Sequence, residues 1–397
     1  MRSVEEALDA ILADVRVTAV ESIPLDRCAG RVPANFTIAA EGDVPPFDNS
    51  AMDGFAVRAA DAPDQLRVVG EVAAGSASLP RVGPGEAVRI MTGAPMPPGA
   101  DAVVPIEDAR ESGERVEVPA TARGTYVRTA GHDTRAGEVV ELAAEPLGPA
   151  GVAVLVSLGL GSVEVRRRPR VAILSTGDEL RESGAELAPG QIHDANGPSL
   201  AAAVEEAGGE AVLLPRVGDD PDRIEEQVRA AVSDADLLVV SGGVSVGRHD
   251  HVRTVIERLG QLDLWRIRVQ PGKPLAFGAV DGLPILGLPG NPVSALVTFE
   301  LFARPLMRRM LGLSGSGRLT LPAVAADRMP KDPERRAYLR VVITRGADGL
   351  EARSAGGQAS SQLRPLASAN ALLIVPEGEP AAEAGRTYDA LLLGGIG

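Results

Sequence analysis

A chain of 397 residues with 40 Lys and Arg against 54 Asp and Glu carries a net charge of −14, which excludes DNA or RNA as the main partner, because affinity for a phosphate backbone needs clustered cations. Its 45% apolar and 24% charged residues are a globular composition and exclude disorder, and its length calls for roughly two to four domains. The single cysteine, Cys28, excludes an intrachain disulfide and a thiolate zinc site.

Glu5 and Glu6 stand where a secretory signal needs an apolar run, and no stretch of about 18 apolar residues occurs, so the expectation is a cytoplasmic protein with no membrane partner. Ser3 and Glu6 have capping-box spacing, and Val4, Ala7, Leu8, Ile11 and Leu12 then recur on one helical face, which predicts an opening amphipathic helix. Residues 41 to 130 are dense in Gly and Pro, with short runs such as Arg67 to Val69 and Ala102 to Val104 between them. That pattern predicts a β-rich module with many turns.

From Arg170 onward short apolar runs alternate with helical ones, the signature of a parallel sheet with crossover helices. The expected order is strand Val171–Leu174, helix Pro198–Ala207, strand Ala211–Leu214, helix Pro221–Ser233, strand Leu237–Val240 and helix His251–Leu259. Strand Pro284–Leu288 then leads through Pro289 to Pro292 into a helix ending near Leu311. Ser314 to Gly317 is a candidate linker, and residues 318 to 397, with β-like runs at Leu339–Ile343, Ala371–Val375 and Ala390–Leu393, predict a small all-β domain.

Ligands of a doubly wound sheet sit outside the carboxyl ends of its strands, and every unusual segment here lies at such an end. The first strand runs into Ser175 to Glu179, the second into Gly218 to Asp220, the third into Ser241 to Gly247 and the fourth into Leu288 to Pro292. Small residues before a helix start offer free amides to an anion, although neither a Walker loop nor a Rossmann glycine spacing is present. Glu179, Asp219 and Asp250 converge on that same edge from three loops. Carboxylates beside a phosphate repel it unless a hard cation such as Mg²⁺ lies between them or one acts as acid or base, and the metal bridge is the reading taken. Asp220 is set aside as a helix N-cap, Lys273 stands in a Pro-Gly frame between Gln270 and Pro274, and the four histidines lack the spacing of a metal site.

Read in order, these loops resemble the molybdopterin molybdenumtransferase family, the bacterial MoeA proteins and the E domain of gephyrin. The resemblance rests on Pro45 to Ala56 with its Phe47-Asp48-Asn49-Ser50-Ala51-Met52-Asp53-Gly54 run, and on Ile90 to Pro95 followed by Gly99 to Val104. It continues through Ser175 to Leu180, Ser241 to Gly247, Pro271 to Pro274 and Gly287 to Ala295.

The resemblance implies a multidomain protein: a central doubly wound α/β molybdopterin-binding domain over 168–314, a β-rich inserted domain over 41–135, a discontinuous N-terminal helical domain over 1–40 and 136–167, and a small C-terminal β-barrel over 318–397. It implies an enzyme that takes adenylylated molybdopterin and molybdate, hydrolyses the adenylate with a divalent metal (Mg²⁺), and yields molybdenum-molybdopterin and AMP. It also implies a homodimer with a shared active site, and the molybdopterin adenylyltransferase as a further partner.

By matching motif, Asp53, Thr92, Asp133, Glu179, Asp219, Asp250 and Lys273 are the residues similar to the family's catalytic set, with Glu179, Asp219 and Asp250 toward the metal. Thr176, Gly177, Asp178, Ser241, Gly242, Gly243, Ser245, Gly247, Pro289, Gly290, Asn291 and Pro292 would bind the substrate, and Lys273, Arg335 and Ser360 the molybdate. Three departures stand out: Gln270 where many members have lysine, Phe55 where tyrosine is common, and His249 where tyrosine is frequent. The alternatives are the adenylyltransferase itself, a much shorter chain, and a gephyrin-like scaffold without insertase activity.

Overall fold

A computed structural model describes residues 1–242, 251–315, 317–347 and 349–396. The chain forms two compact units: Ser22–Ala29 with Asn35–Glu164, and Met1–Glu21 with Gly30–Ala34 and Val165–Gly397.

The first unit is built on a six-stranded sheet of Gly54–Val57 (β1), Asp64–Val72 (β2), Glu86–Ile90 (β3), Ala102–Pro105 (β4), Arg110–Ser112 (β5) and Arg115–Val118 (β6), in the order β4-β1-β3-β2-β6-β5. β1 is buried along its whole length because both faces of the sheet are covered. Phe55 and Val57 join one apolar cluster and Ala56 the other, as the two-residue alternation of a strand requires. Gly54 is obligatory here, since a Cβ would lie 2.0 Å from the carbonyl oxygen of Val104 on the neighbouring strand.

The second unit contains the doubly wound sheet. Its strands are Arg170–Ser175 (β7), Glu210–Leu213 (β8), Leu237–Ser241 (β9), Gln261–Arg266 (β10), Pro274–Val280 (β11) and Leu283–Leu288 (β12), ordered β8-β7-β9-β12-β11-β10. The first four are parallel, and β11 and β10 extend the sheet antiparallel. Helices Val4–Leu12 (α1), Asn196–Glu206 (α2), Pro292–Thr298 (α5) and Arg304–Met310 (α6) cover one face; Pro221–Asp234 (α3) and His251–Leu259 (α4) cover the other. Burial on both faces is why β7 and β9 read as unbroken apolar runs in the sequence.

The antiparallel strands β11 and β10 were not among the expected elements: β10, at the edge, is a short alternating segment with no apolar run, whereas β11, paired on both sides, is an apolar run that was passed over, standing directly after the Pro271 to Lys273 turn. α2 begins at Asn196, two residues before Pro198, because the Asp194 carboxylate accepts the amides of Asn196 and Gly197 at 3.0 Å each. The helix running toward Leu311 is interrupted by a π-turn at Phe299–Ala303, where the Thr298 hydroxyl donates to the carbonyls of Ser294 and Ala295 and so competes with the helical ladder.

The C-terminal part is a closed barrel. Thr320–Ala325 (β13), Arg336–Gly346 (β14), Gly349–Ser354 (β15), Ala371–Val375 (β16) and Thr387–Leu392 (β17) run in the order β14-β15-β13-β17-β16, and β16 pairs back onto β14. Its narrow interior is filled by Ala323, Ala325, Ala352 and Ala390 beside Leu339, Val341 and Ile343, as a small barrel demands. The two-residue strand Val269–Gln270 pairs parallel with the start of β14 and ties the barrel to the sheet's ligand edge. Among the described residues no helix is long and apolar enough to cross a membrane.

Candidate functional site

The carboxyl ends of the parallel strands open into a cleft of about 950 Å³. Strand order sets out its wall. Asp219 follows β8, Glu179 follows β7, Ser241 and Gly242 end β9, Pro289 to Pro292 follow β12, and Lys273 immediately precedes β11 at the level of Pro289. From β7 to β11 there are three interstrand spacings, about 14 Å. The acids therefore lie toward one side and the lysine toward the other, with the glycine loops between them.

Each loop is locked by its own residues. Gly177 has φ +148°, and a Cβ there would meet the Glu179 carboxylate at 2.5 Å, so glycine lets that carboxylate fold over the turn. Asp178 does not line the cleft; it accepts the Asp219 amide at 3.1 Å and joins the first two loops. Asn196 donates from Nδ2 to Ser241 Oγ and to the Gly290 carbonyl, 2.7 Å each, joining the third and fourth. The hydroxyls of Ser175 and Thr176 and the Oδ1 of Asn196 are buried with no partner among the described residues, and buried polar atoms left so are costly unless a ligand or water meets them.

On the lysine side the barrel contributes. Arg335, Gln358, Ala359 and Ser360 line the same cleft as Lys273. Arg335 donates from Nε to Asp332 Oδ2 at 2.7 Å, and the Asp332 amide donates to Gln270 Oε1 at 3.0 Å. Gln270 thus braces the loop that carries Arg335. The Glu334 amide and then the Arg335 guanidinium hold the Asp332 carboxyl below its ordinary range. Ser360 Oγ accepts from Asn291 Nδ2 at 3.2 Å.

Of the residues singled out in the sequence, Thr176, Gly177, Glu179, Asp219, Ser241, Gly242, Lys273, Pro289, Gly290, Asn291, Pro292, Arg335 and Ser360 line this one cleft. Gly243, Ser245, Gly247, His249 and Asp250 lie outside the described residues. Asp53, Thr92 and Asp133 belong to the other compact unit. There Asp53 Oδ1 accepts from both the Thr92 amide (2.6 Å) and the Thr92 hydroxyl (2.7 Å), and Asp133 is an exposed loop residue whose amide donates to the Val44 carbonyl. Phe55 is fully buried with the Arg89 guanidinium 5.1 Å from its ring centre, so its ring serves the core of that unit. Among the described residues no group of three or more His, Cys, Asp or Glu gathers as a metal cluster.

Three family models match the chain in succession: the MoeA N-terminal region (domain I and II) over residues 2–159, a probable molybdopterin binding domain over 172–309, and the MoeA C-terminal region (domain IV) over 322–393. A molybdopterin molybdenumtransferase 2 of Mycobacterium tuberculosis is 38% identical over 391 residues, 95% of this chain and 96% of the relative. The chain belongs to the MoeA family. A molybdopterin molybdenumtransferase of Nostoc sp. is 39% identical over 94% of this chain and 88% of the relative. The crystal structure of a MoeA protein from Pyrococcus horikosii superposes with a TM-score of 0.83 at 33% identity, covering 100% of both chains.

Sequence reasoning missed Asn196, Asp194 and Gln358. Asn196 was legible in principle, as an Asx pair beside Gly197-Pro198 at a helix start; Gln358, in a barrel loop remote in sequence from every strand of the doubly wound sheet, carried no local signal. Within the first unit, the Thr92 amide and then the Thr92 hydroxyl hold the Asp53 carboxyl below its ordinary value, so Thr92→Val, which removes the hydroxyl and keeps the amide, is expected to raise it only part of the way back. Carbon-13 NMR titration of the aspartate carboxyls checks this, and an unmoved Asp53 would show that the Thr92 hydroxyl adds nothing to the hold of the amide.

Proposed function

We propose that this MoeA-family chain performs the family's transferase reaction in molybdenum cofactor biosynthesis: from adenylylated molybdopterin and molybdate it makes molybdenum-molybdopterin and releases AMP. One observation carries the site assignment. A single cleft has two carboxylates from the β7 and β8 loops on one side, Lys273, Arg335 and Ser360 on the other, and two lining residues with an unpartnered buried polar atom, the Thr176 hydroxyl and Asn196 Oδ1.

Glu179 and Asp219 form an all-oxygen donor set, the chemistry of a hard divalent ion, and Mg²⁺ is commonly held by one or two carboxylates with substrate phosphates completing its shell. Such an ion, bound there, would neutralise the phosphoanhydride oxygens during cleavage. The protein's part is to orient and exclude. The Ser241-Gly242 and Pro289 to Asn291 loops receive the pterin phosphate, and Thr176 and Asn196 supply hydrogen-bonding groups to the pterin side. Lys273 and Arg335, with the Ser360 hydroxyl, receive the dianionic molybdate.

Asp53, Thr92 and Asp133 enter this reading from a partner subunit, in a homodimer whose active site is shared; Asp250, outside the described residues, is assigned to the metal by the family motif alone. The molybdopterin adenylyltransferase is the natural donor of the substrate, and the setting is cytoplasmic.

Lys273→Ala and Arg335→Ala are each expected to raise the half-saturating molybdate concentration about tenfold or more, since each removes a charge-assisted hydrogen bond of about 1.5–3 kcal/mol. The assay is molybdenum loading of molybdopterin by the purified chain at varied molybdate, with Mg²⁺ present. Wild-type molybdate dependence in both variants would remove that side of the cleft from the site.

A further inference from the structure

Behind the molybdate side of the cleft lies a buried cation with no carboxylate against it among the described residues. Arg340, in β14, is fully buried. Its Nη2 donates to the carbonyls of Gly357 (3.2 Å) and Ala359 (3.1 Å), while Nε and Nη1 find no acceptor among the described residues. Burial alone pushes its pKa down to about 10, which leaves it charged at neutral pH. Gln358 clasps the same residue through the backbone: its Oε1 accepts the Arg340 amide at 2.9 Å and its Nε2 donates to the Arg340 carbonyl at 3.0 Å.

This arrangement dictates the direction of two amides. In a trans peptide the carbonyl and the following N–H point opposite ways. With the carbonyls of Gly357 and Ala359 turned inward onto the guanidinium, the N–H groups of Gln358 and Ser360 turn outward, and Gln358, Ala359 and Ser360 are the residues this loop presents to the cleft. Among the described residues neither amide donates to a backbone acceptor. The Ala359 amide between them donates to Gln362 Oε1 at 3.3 Å, so the two alternate amides are left as a pair of donors on one side of the loop, and a positive charge behind the carbonyls of their peptides strengthens them toward an anion, since in a low-dielectric interior its field is weakly screened.

We propose that Arg340 is a positioning residue for the oxyanion: it draws the 357–360 loop onto its guanidinium so that the Gln358 and Ser360 amides, backed by its uncompensated charge, face the tetrahedral dianion held by Lys273 and Arg335. This rests on the reading of Lys273, Arg335 and Ser360 as the molybdate site.

The test uses the full chain with Arg340→Met and Arg340→Lys. Arg340→Met raises half-saturating molybdate about tenfold, with the turnover rate at saturating molybdate within about twofold of wild type. Arg340→Lys, which keeps the charge and one carbonyl contact, recovers most of the loss. Because Arg340→Met can fail to fold, amide hydrogen exchange of the wild-type chain is measured alongside: molybdate slows exchange of the Gln358 and Ser360 amides. Unchanged molybdate dependence in a folded Arg340→Met, or no slowing at residues 357–361 under saturating molybdate, overturns the proposal. Lys273→Ala and Arg335→Ala separate the two failures. If they weaken molybdate binding while Arg340→Met and the 357–361 amides stay unmoved, only the role of Arg340 is lost; if they too have no effect, the molybdate site itself lies elsewhere.

Discussion

If the proposed reaction runs at this cleft, Glu179→Ala is expected to slow AMP release from adenylylated molybdopterin by about two to three powers of ten, with Mg²⁺ present and substrate saturating. The magnitude follows from the several kcal/mol of charge stabilisation that a metal bound to substrate phosphates supplies, at about 1.4 kcal/mol per tenfold in rate. Glu179 is placed for this by its loop: its carboxylate lies over Gly177, where any side chain would collide with it, and it lines the cleft beside Asp219. Asp219→Ala falls in the same direction. The contrast is Asp220→Ala, one residue on, whose carboxylate accepts the amides of Asp222 and Arg223 and caps α3. That variant loses about 1 kcal/mol of stability and keeps its rate. The measurement is single-turnover AMP release over a range of Mg²⁺; wild-type rates in Glu179→Ala would leave the acidic side of the cleft without its proposed role.

The second large effect concerns stability. Glu300 sits on the π-turn, 8% exposed, and its two oxygens accept from Nε and Nη2 of Arg304 (2.7 and 3.1 Å) and from Nε and Nη2 of Arg318 (2.9 and 3.0 Å). Glu206 pairs with both arginines from α2. Glu300→Gln takes the buried carboxylate from two largely buried guanidinium groups and leaves them the more exposed Glu206, so the cost approaches but does not exceed the roughly 3–5 kcal/mol of breaking a buried pair outright. Urea unfolding followed by Trp265, the only tryptophan of the chain and a residue of this unit, reads the change; a loss under about 1 kcal/mol would mean that the network adds little to the unit's stability.

The acid limb of the stability curve carries the same information. Burial by itself would raise the Glu300 carboxyl pKa, but hydrogen bonds and charge from Arg318 and Arg304 outweigh it and hold the group below 4.5. A carboxyl lowered on folding contributes stability that is complete above its unfolded pKa and is lost as pH falls through the folded one. The advantage of wild type over Glu300→Gln therefore narrows as pH is taken below 4.5. An advantage constant down to about pH 3 would locate the stabilisation elsewhere.

Much of this molecule was legible in one dimension. Apolar runs such as Val171–Leu174 and Leu237–Val240 announced fully buried parallel strands, and the small and acidic residues directly after them announced the ligand edge, because a parallel sheet gathers every strand's carboxyl end on one side. The Phe47 to Gly54 run and its companions carried the family. β10 and β11 were passed over for different reasons: β10 is a six-residue edge strand whose alternation is short, and β11 carries a legible apolar run, Leu275 to Val280, that the βαβ rhythm did not call for because its partner pairing is antiparallel. Gln270 read as a missing cation; the structure shows it bracing the Asp332 to Arg335 loop.

By itself, then, the sequence determined the chemistry available at each strand end, because periodicity and turn residues are local properties. Only the tertiary structure decided which of those groups share a space. Strand order separated the acids from Lys273 across the sheet edge, and the pairing of Val269–Gln270 with β14 brought Arg335, Ser360 and the buried Arg340 to it from the barrel. Such pairings join residues some 60 to 90 positions apart, and no local pattern encodes them, since they arise from the burial of surfaces that meet only once the chain has closed.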